Sequence, residues 1–174
     1  MGIQFETDYN METLTAMAKG LRRTVRKKRS RRVHIFAAVV LILGLLTILA
    51  TTAGGEPLGA SGVVTLLAML VVILVSLFED KLNAWFARKR LLPGTEHAVA
   101  TFEEDGYVSA TGVTESRFSY AQIVAVAETE RYFVFALSSH HTQAYDKRTI
   151  RGGSVEDFRA FIAEKTGKPV EKIK

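Results

Sequence analysis

Two clusters of polar residues near the C-terminus have side chains of the kind that bind ligands. His140 and His141 are neighbours and imidazole is a common metal ligand, but adjacent side chains on a strand point to opposite faces. No third ligand is evident beside them, so we predict no metal site. Lys147, Arg148 and Arg151 form a basic cluster next to a Gly-Gly loop. Such a cluster suits an anionic lipid head group or an acidic partner, and is more often an ordinary surface loop.

The sequence lacks the residue patterns of common catalytic sites. It contains no cysteine, which excludes thiolate nucleophiles, thiolate zinc sites and disulfides. No glycine-rich phosphate loop, HExxH motif or GxSxG motif occurs, and the acidic run at residues 103–105 is typical of a solvated turn. We therefore predict that the protein is not an enzyme and binds no cofactor.

Positive charge is concentrated near the N-terminus. Residues 1–32 hold nine Lys and Arg against three Asp and Glu, whereas residues 91–174 hold ten against twelve. Apolar side chains three and four apart in residues 11–29 predict an amphipathic helix with a basic polar side. This helix could lie on an anionic leaflet; the alternative is that its basic residues act only as a topology signal. The candidate lipid or partner contacts in this arm are Arg22, Arg23, Arg26, Lys27, Lys28 and Arg29.

Two uncharged segments are long enough to cross a bilayer. Residues 33–52 have His34 as their one ionisable side chain, and residues 58–78 have none. Each holds about 20 residues, which as a helix spans ~30 Å of hydrocarbon, and each is apolar on all sides. Residues 53–57 between them permit only a tight turn. We predict two transmembrane helices in a hairpin, in preference to a signal peptide or a pair of buried core helices.

The distribution of Lys and Arg predicts the orientation of this hairpin. The turn has neither residue, whereas both flanks are basic, and four cations follow the second segment: Lys81, Arg88, Lys89 and Arg90. The positive-inside rule therefore predicts a multi-pass protein of the inner (plasma) membrane with both termini in the cytoplasm. The small residues Gly44 and Ala68 suit packing within the hairpin, or equally contact between copies in a homo-oligomer.

After a juxtamembrane connector at residues 79–96, the hydrophobic pattern changes to that of strands. Between residues 97 and 145 it predicts five or six antiparallel strands, with a hairpin turn at Asp105-Gly106. A strand is also expected at residues 3–6, within the separate N-terminal region 1–32.

One helix is predicted after the strands. Ser154 and Asp157 resemble a capping box, and Phe158, Phe161 and Ile162 form an apolar stripe. We expect this helix to close the open end of the sheet. The fold class is therefore a membrane helical hairpin plus a small α+β domain at residues 97–167, followed by a tail at 168–174.

Several residues of this domain give it a family resemblance. They are Asp105-Gly106, Tyr120 and Ile123, Glu128 ahead of Tyr132-Phe133, and Lys147-Arg148 before a helix with Phe158 and Phe161. The segment resembles the C-terminal domain of the YcxB-like family of bacterial membrane proteins, and the N-terminal strand and paired helices match the same pattern. The resemblance implies a module similar to pleckstrin-homology-like domains and no particular chemistry. Tyr145-Asp146 departs from the family pattern, which has Ile-Pro there, so no ligand role is carried over to this loop.

The architecture favours an interaction function. The leading hypothesis is a membrane-tethered module that holds the small domain at the cytoplasmic leaflet to bind a protein, a peptide or an anionic lipid. The alternative is an immunity or stress protein that neutralises a toxin or senses stress at the membrane. Nucleic acid is not an expected partner, because the basic run adjoins the bilayer and has no interleaved aromatic residues.

Overall fold

A computed structural model describes residues 2–55 and 57–173 as two compact units. The sheet unit comprises the described residues of 1–27 and 83–174, and the hairpin unit comprises those of 28–82. The structure thus divides the chain differently from the predicted bounds, because residues before the apolar helices fold together with residues after them. Glu56 in the predicted turn, Met1 and Lys174 lie outside the described residues.

The first sheet of the sheet unit joins an N-terminal strand to strands that follow the two apolar helices. It consists of β1 (Ile3–Asp8), β2 (His97–Phe102), β3 (Tyr107–Thr111) and β4 (Glu115–Phe118), antiparallel in that order. The register of β1 on β2 runs from Ile3 opposite Phe102 to Asp8 opposite His97. Alternate residues of β1 are buried, as expected for a strand with one face on a core. The predicted strand at residues 3–6 is therefore an integral part of the domain.

The second sheet has the order β7 (Thr142–Asp146), β6 (Tyr132–Ala136), β5 (Ala125–Glu128) and β8 (Val170–Lys172). The first three strands pair antiparallel, whereas β8 pairs parallel to β5. Two sheets therefore replace the single antiparallel sheet of the prediction. Part of the predicted tail at residues 168–174 is the edge strand of the second sheet, which local pattern could not reveal because its partner strand lies far back in the sequence.

Aromatic side chains from both sheets meet in the main core. The ring of Phe5 lies 4.7 Å from that of Phe158, and the ring of Phe102 lies 4.8 Å from it. Phe158 belongs to α5 (Val155–Thr166), which has the predicted capping box of Ser154 with Asp157. Gly167 ends this helix in the left-handed conformation, with φ of 64°, which glycine adopts without steric cost.

Helix α1 (Met11–Arg23) packs on the second sheet. Its N-cap is Asn10, whose side chain accepts hydrogen bonds from the backbone of residues 12 and 13. Leu14 and Leu21 of the predicted apolar stripe are buried, as is Gly20, where an added Cβ would lie 2.7 Å from Cγ1 of Val134. The suggestion that this stripe lies on a leaflet is therefore wrong, because β-strands already cover it.

The hairpin unit contains two helices that are long and apolar enough to cross a membrane. They are α2 (Lys27–Ala53) and α3 (Ala60–Leu77), and α4 (Glu79–Lys89) follows them. None of the described residues of α2 and α3 is buried. Both predicted segments therefore form helices, and α2 begins earlier than predicted, within the basic run. A Cβ at Gly44 would lie 2.8 Å from Sδ of Met69, which favours the packing role for this glycine.

Candidate functional site

A cleft of about 290 Å³ opens on the surface of the sheet unit. Its walls come from α1 and the residues before it, from β3 and β4, from the start of β7 and from the segment after α4. Among the described residues, six serines and threonines line it: Thr95, Ser109, Thr111, Thr114, Ser116 and Thr142. The apolar part of the lining includes Leu14, Met17, Leu91 and Phe118. The cleft can therefore receive both apolar groups and hydrogen-bonding groups.

A hydrogen-bonded group of two tyrosines and an amide borders this cleft. The hydroxyl of Tyr107 donates to Oε1 of Gln143 at 2.7 Å, and the hydroxyl of Tyr145 donates to the same oxygen at 2.8 Å. All three side chains are buried. Burial raises the pKa of Tyr107 and of Tyr145, and it raises the pKa of Tyr9 in the cleft wall to about 12. The phenols of Tyr107 and Tyr145 therefore stay protonated near neutral pH and donate to Gln143.

The chemistry of the cleft is uncharged. Among the described residues that line it there is no Asp, Glu, Lys or Arg, and the one imidazole is that of His141. An anionic head group would lose its hydration there without gaining a cationic partner, which costs free energy. The cleft therefore suits a neutral ligand or the side chains of a peptide.

The charged residues of the sheet unit form ion pairs elsewhere. Glu128 at the end of β5 is only 5% exposed; it accepts two hydrogen bonds of 2.7 Å from Arg159 and one of 3.0 Å from Lys147. The bonds from Arg159, together with Lys147 and against the opposing effect of burial, lower the pKa of Glu128 to about 2. This carboxylate therefore connects β5 to α5 and to the chain after β7.

Asp146 is the centre of a second ionic group. Its carboxylate accepts hydrogen bonds from Arg131 at 2.8 Å and from Arg148 at 3.0 Å, and Arg131 also pairs with Glu12 of α1. This is the position at which the sequence departs from the Ile-Pro family pattern. The aspartate serves a structural purpose here, because it joins α1 to the second sheet through Arg131.

The basic cluster predicted as a ligand contact is largely engaged within the protein. Lys147 pairs with Glu128, Arg148 with Asp146, and Arg151 with Glu6 at 3.1 Å. The three cations thus contact three different carboxylates and do not converge on one surface point. Cations that already have carboxylate partners make a poor site for an anion.

The basic residues of the N-terminal arm have different environments. Arg26 donates to the carbonyl oxygen of Ser139 at 2.6 Å and lies 3.0 Å from His140 Nδ1, and Arg22 also has an interaction partner. The other four of the six predicted contacts are exposed: Arg23 at the end of α1, then Lys27, Lys28 and Arg29 in the first turn of α2.

Among the described residues, no group of three or more His, Cys, Asp or Glu could hold a metal ion.

Sequence reasoning missed the residues that organise this region. In the sequence, Gln143 is an ordinary residue of a short predicted strand. Glu128 is the polar residue at the end of an apolar predicted strand. The signal that could have identified Glu128 is an acidic residue at the end of a strand expected to be buried. Such an acid is almost never buried unless it is paired, so it requires a Lys or Arg from elsewhere in the chain. No comparable signal identifies the tyrosine pair around Gln143, because the three residues meet only through the pairing of distant strands.

One protein-family model matches part of the sheet unit. The family model described as YcxB-like protein matches residues 102–162. This part of the chain is similar to that family. The match begins at the last residue of β2 and ends within α5, so it includes Phe102 and Phe158 of the aromatic core and the carboxylates Glu128 and Asp146 of the two ionic groups. The predicted resemblance is confirmed for this region. No curated protein and no solved structure matches the chain.

Proposed function

We propose that the protein is a membrane-tethered interaction module that binds a protein or a peptide. In this proposal α2 and α3 cross the inner membrane as a hairpin, and the sheet unit lies at the cytoplasmic leaflet. The order of its elements supports a pleckstrin-homology-like fold: a four-stranded meander that begins with β1, a three-stranded meander, and a helix.

The pairing of β1 with β2 carries this proposal. Both helices that could cross a membrane lie between these strands in the sequence, yet the strands pair over six residues, from Ile3 with Phe102 to Asp8 with His97. Segments of one folded sheet must be in the same compartment. The chain must therefore cross the membrane an even number of times between them, which two spanning helices satisfy.

The charged and aromatic residues beside the helices support the cytoplasmic side. Exposed Lys27, Lys28 and Arg29 begin α2, and Arg88 and Lys89 are in the last turn of α4. Cations near the ends of membrane helices favour the cytoplasmic leaflet, where they also contact anionic lipids. Trp85 is 44% exposed, as an aromatic anchor at the membrane interface requires.

A protein or peptide is favoured over a lipid head group as the ligand of the sheet unit. The cations Lys147, Arg148 and Arg151 already have carboxylate partners, and none of the described residues that line the cleft is an Asp, Glu, Lys or Arg. Apolar and hydroxyl-bearing surfaces without charge suit the side chains and backbone of a polypeptide. In this proposal, anionic lipids contact only the basic residues that flank the helices.

Single cysteines test the tether, because the chain has none of its own. We would introduce Gly55→Cys in the turn, Asp105→Cys in the β2–β3 hairpin and Gly2→Cys before β1, each in the full chain. A membrane-impermeant maleimide should label residue 55 in intact cells and residues 2 and 105 only after lysis. Labelling of residue 2 or residue 105 in intact cells would refute the proposed topology.

Photo-crosslinking in cells tests the binding function. A photoreactive amino acid would replace Thr114 in the cleft, Lys172 on β8 or Glu156 on the exposed side of α5. A discrete adduct with another protein at one of these positions, and not at all three, is the expected result. If none of the positions gives an adduct, the sheet unit does not act as a binding module.

A further inference from the structure

The edge of the second sheet is occupied by the C-terminal segment of the chain. Val170 pairs with Val126, Glu171 with Ala127 and Lys172 with Glu128, all in parallel register. The amide of Ile173 continues the pairing by donating to the carbonyl oxygen of Glu128 at 2.8 Å. The backbone of β5 is therefore paired on this side by a segment of only four residues.

Two apolar side chains seat this segment, one on each face of the sheet. Val170 packs against the main core, to which Val126 also belongs. Ile173 packs against the cluster that contains Ala16 of α1 and Ala127 of β5. Because side chains alternate along a strand, residues three apart point to opposite faces. The edge of β5 therefore fits a four-residue segment with an apolar residue at its first position, as Val170 is, and another at its fourth, as Ile173 is.

The segment is held by fewer interactions than its neighbours. Its two polar residues, Glu171 and Lys172, are exposed, and both apolar anchors are only half-buried. In β6, by contrast, all five residues are buried. Pro169 precedes the segment and has no N–H to donate to a neighbouring strand.

We infer that the edge of β5 is a strand-addition site, occupied at rest by residues 170–173 and taken over by an extended segment of a partner protein. This inference rests on the proposed interaction function and adds to the cleft a second binding site, at the edge of the second sheet. Backbone hydrogen bonds to β5 supply sequence-independent affinity, and the pockets for the first and fourth side chains supply selectivity. The partner segment has an apolar residue at each of these positions, polar residues between them and no proline after the first.

A fluorescent peptide with the sequence of residues 168–174 tests the site on the full-length chain in lipid nanodiscs. The wild-type chain should bind the peptide weakly, because its own tail competes. The V170D/I173D chain should bind at least tenfold more tightly, because its tail no longer occupies the edge. The E171Q/K172Q chain is the matched control: it changes only exposed side chains and should bind as weakly as the wild type. A peptide with Asp at both apolar positions should bind none of the chains.

Hydrogen exchange on the same samples reports whether the segment opens locally. In the wild-type chain the amides of residues 171 and 173, which face β5, should exchange at least 100-fold faster than those of β6, and saturating peptide should accelerate them further. Equal protection of the two strands would overturn the inference, as would a V170D/I173D chain that keeps β6 protected and binds no peptide. Loss of β6 protection in that variant would also overturn it, since the tail would then be required for folding. The cysteine labelling described above tests the tether independently of the peptide, so failure of the site and failure of the tether can be distinguished.

Discussion

Replacement of Gly20 by alanine gives a change in stability whose sign depends on where α1 packs. In an exposed helix, alanine is more stable than glycine by about 1 kcal/mol. In this structure the new Cβ would lie 2.7 Å from Cγ1 and 3.0 Å from Cβ of Val134, which is 1% exposed in β6. Valine is β-branched and cannot turn away, so the helix or the strand must shift. Overpacking of this kind typically costs about 1–3 kcal/mol.

We therefore expect Gly20→Ala to lower the free energy of unfolding of the sheet unit by up to about 2 kcal/mol, which is the overpacking cost less the gain in helix propensity. The added methyl and Val134 compete for the same space. The double variant Gly20→Ala/Val134→Ala should consequently be more stable than the sum of the two single changes predicts, by about 1 kcal/mol.

A buried cysteine measures this effect in the membrane. Ala144→Cys places one thiol in β7, where the native alanine is 1% exposed and belongs to the same cluster as Val134. Its rate of reaction with a maleimide reports how often the sheet opens. Gly20→Ala should speed this reaction by up to about 30-fold, the factor that corresponds to about 2 kcal/mol. If the reaction instead slows, the helix propensity of alanine dominates, and α1 does not lie on the second sheet.

The remaining predictions concern the ionic and hydrogen-bonded groups and one turn. Since the pKa of Glu128 is lowered to about 2 from 4.5, its contribution to stability is complete above pH 4.5 and is lost as the pH falls toward 2. That contribution is about 3 kcal/mol, so Glu128→Gln should lower the free energy of unfolding at pH 7 by roughly that amount. The variant's free energy of unfolding should also depend less on pH below 4.5. If urea titrations show the same pH dependence for the variant and the wild type, the reasoning is contradicted. Tyr107→Phe should cost about 1 kcal/mol through loss of the hydrogen bond to Gln143, and a loss under 0.3 kcal/mol in the same titrations would show that the bond is dispensable. Gly152→Ala should destabilise the protein far more than Gly167→Ala. Both residues have positive φ, but of the two only Gly152 would place a Cβ against a backbone oxygen, at 2.5 Å. Equal midpoints of thermal unfolding for the two variants would refute this steric argument.

Local patterns were enough to predict several elements of this protein. The segments that form α2 and α3 are recognisable from their length and lack of charge, since these properties do not depend on any distant partner. The start of α5 was predictable because the capping box of Ser154 and Asp157 is built from residues three apart, and Gly167 ends the same helix.

Only the tertiary structure decided what the predicted faces pack against. The alternation in residues 3–6 indicates a strand with one buried face, but not its partner. The partner is β2, and even the pair nearest in sequence, Asp8 and His97, is 89 residues apart. The stripe of α1 was equally compatible with a lipid leaflet and with a sheet, because periodicity specifies that a face is apolar and not which surface covers it. The same holds for Lys147 and Arg148: their sequence spacing suggested a ligand site, whereas Glu128 and Asp146, brought close by strand pairing, already neutralise them. Composition and period are local properties of the chain, and the identity of a packing partner is a long-range one that only the assembled fold specifies.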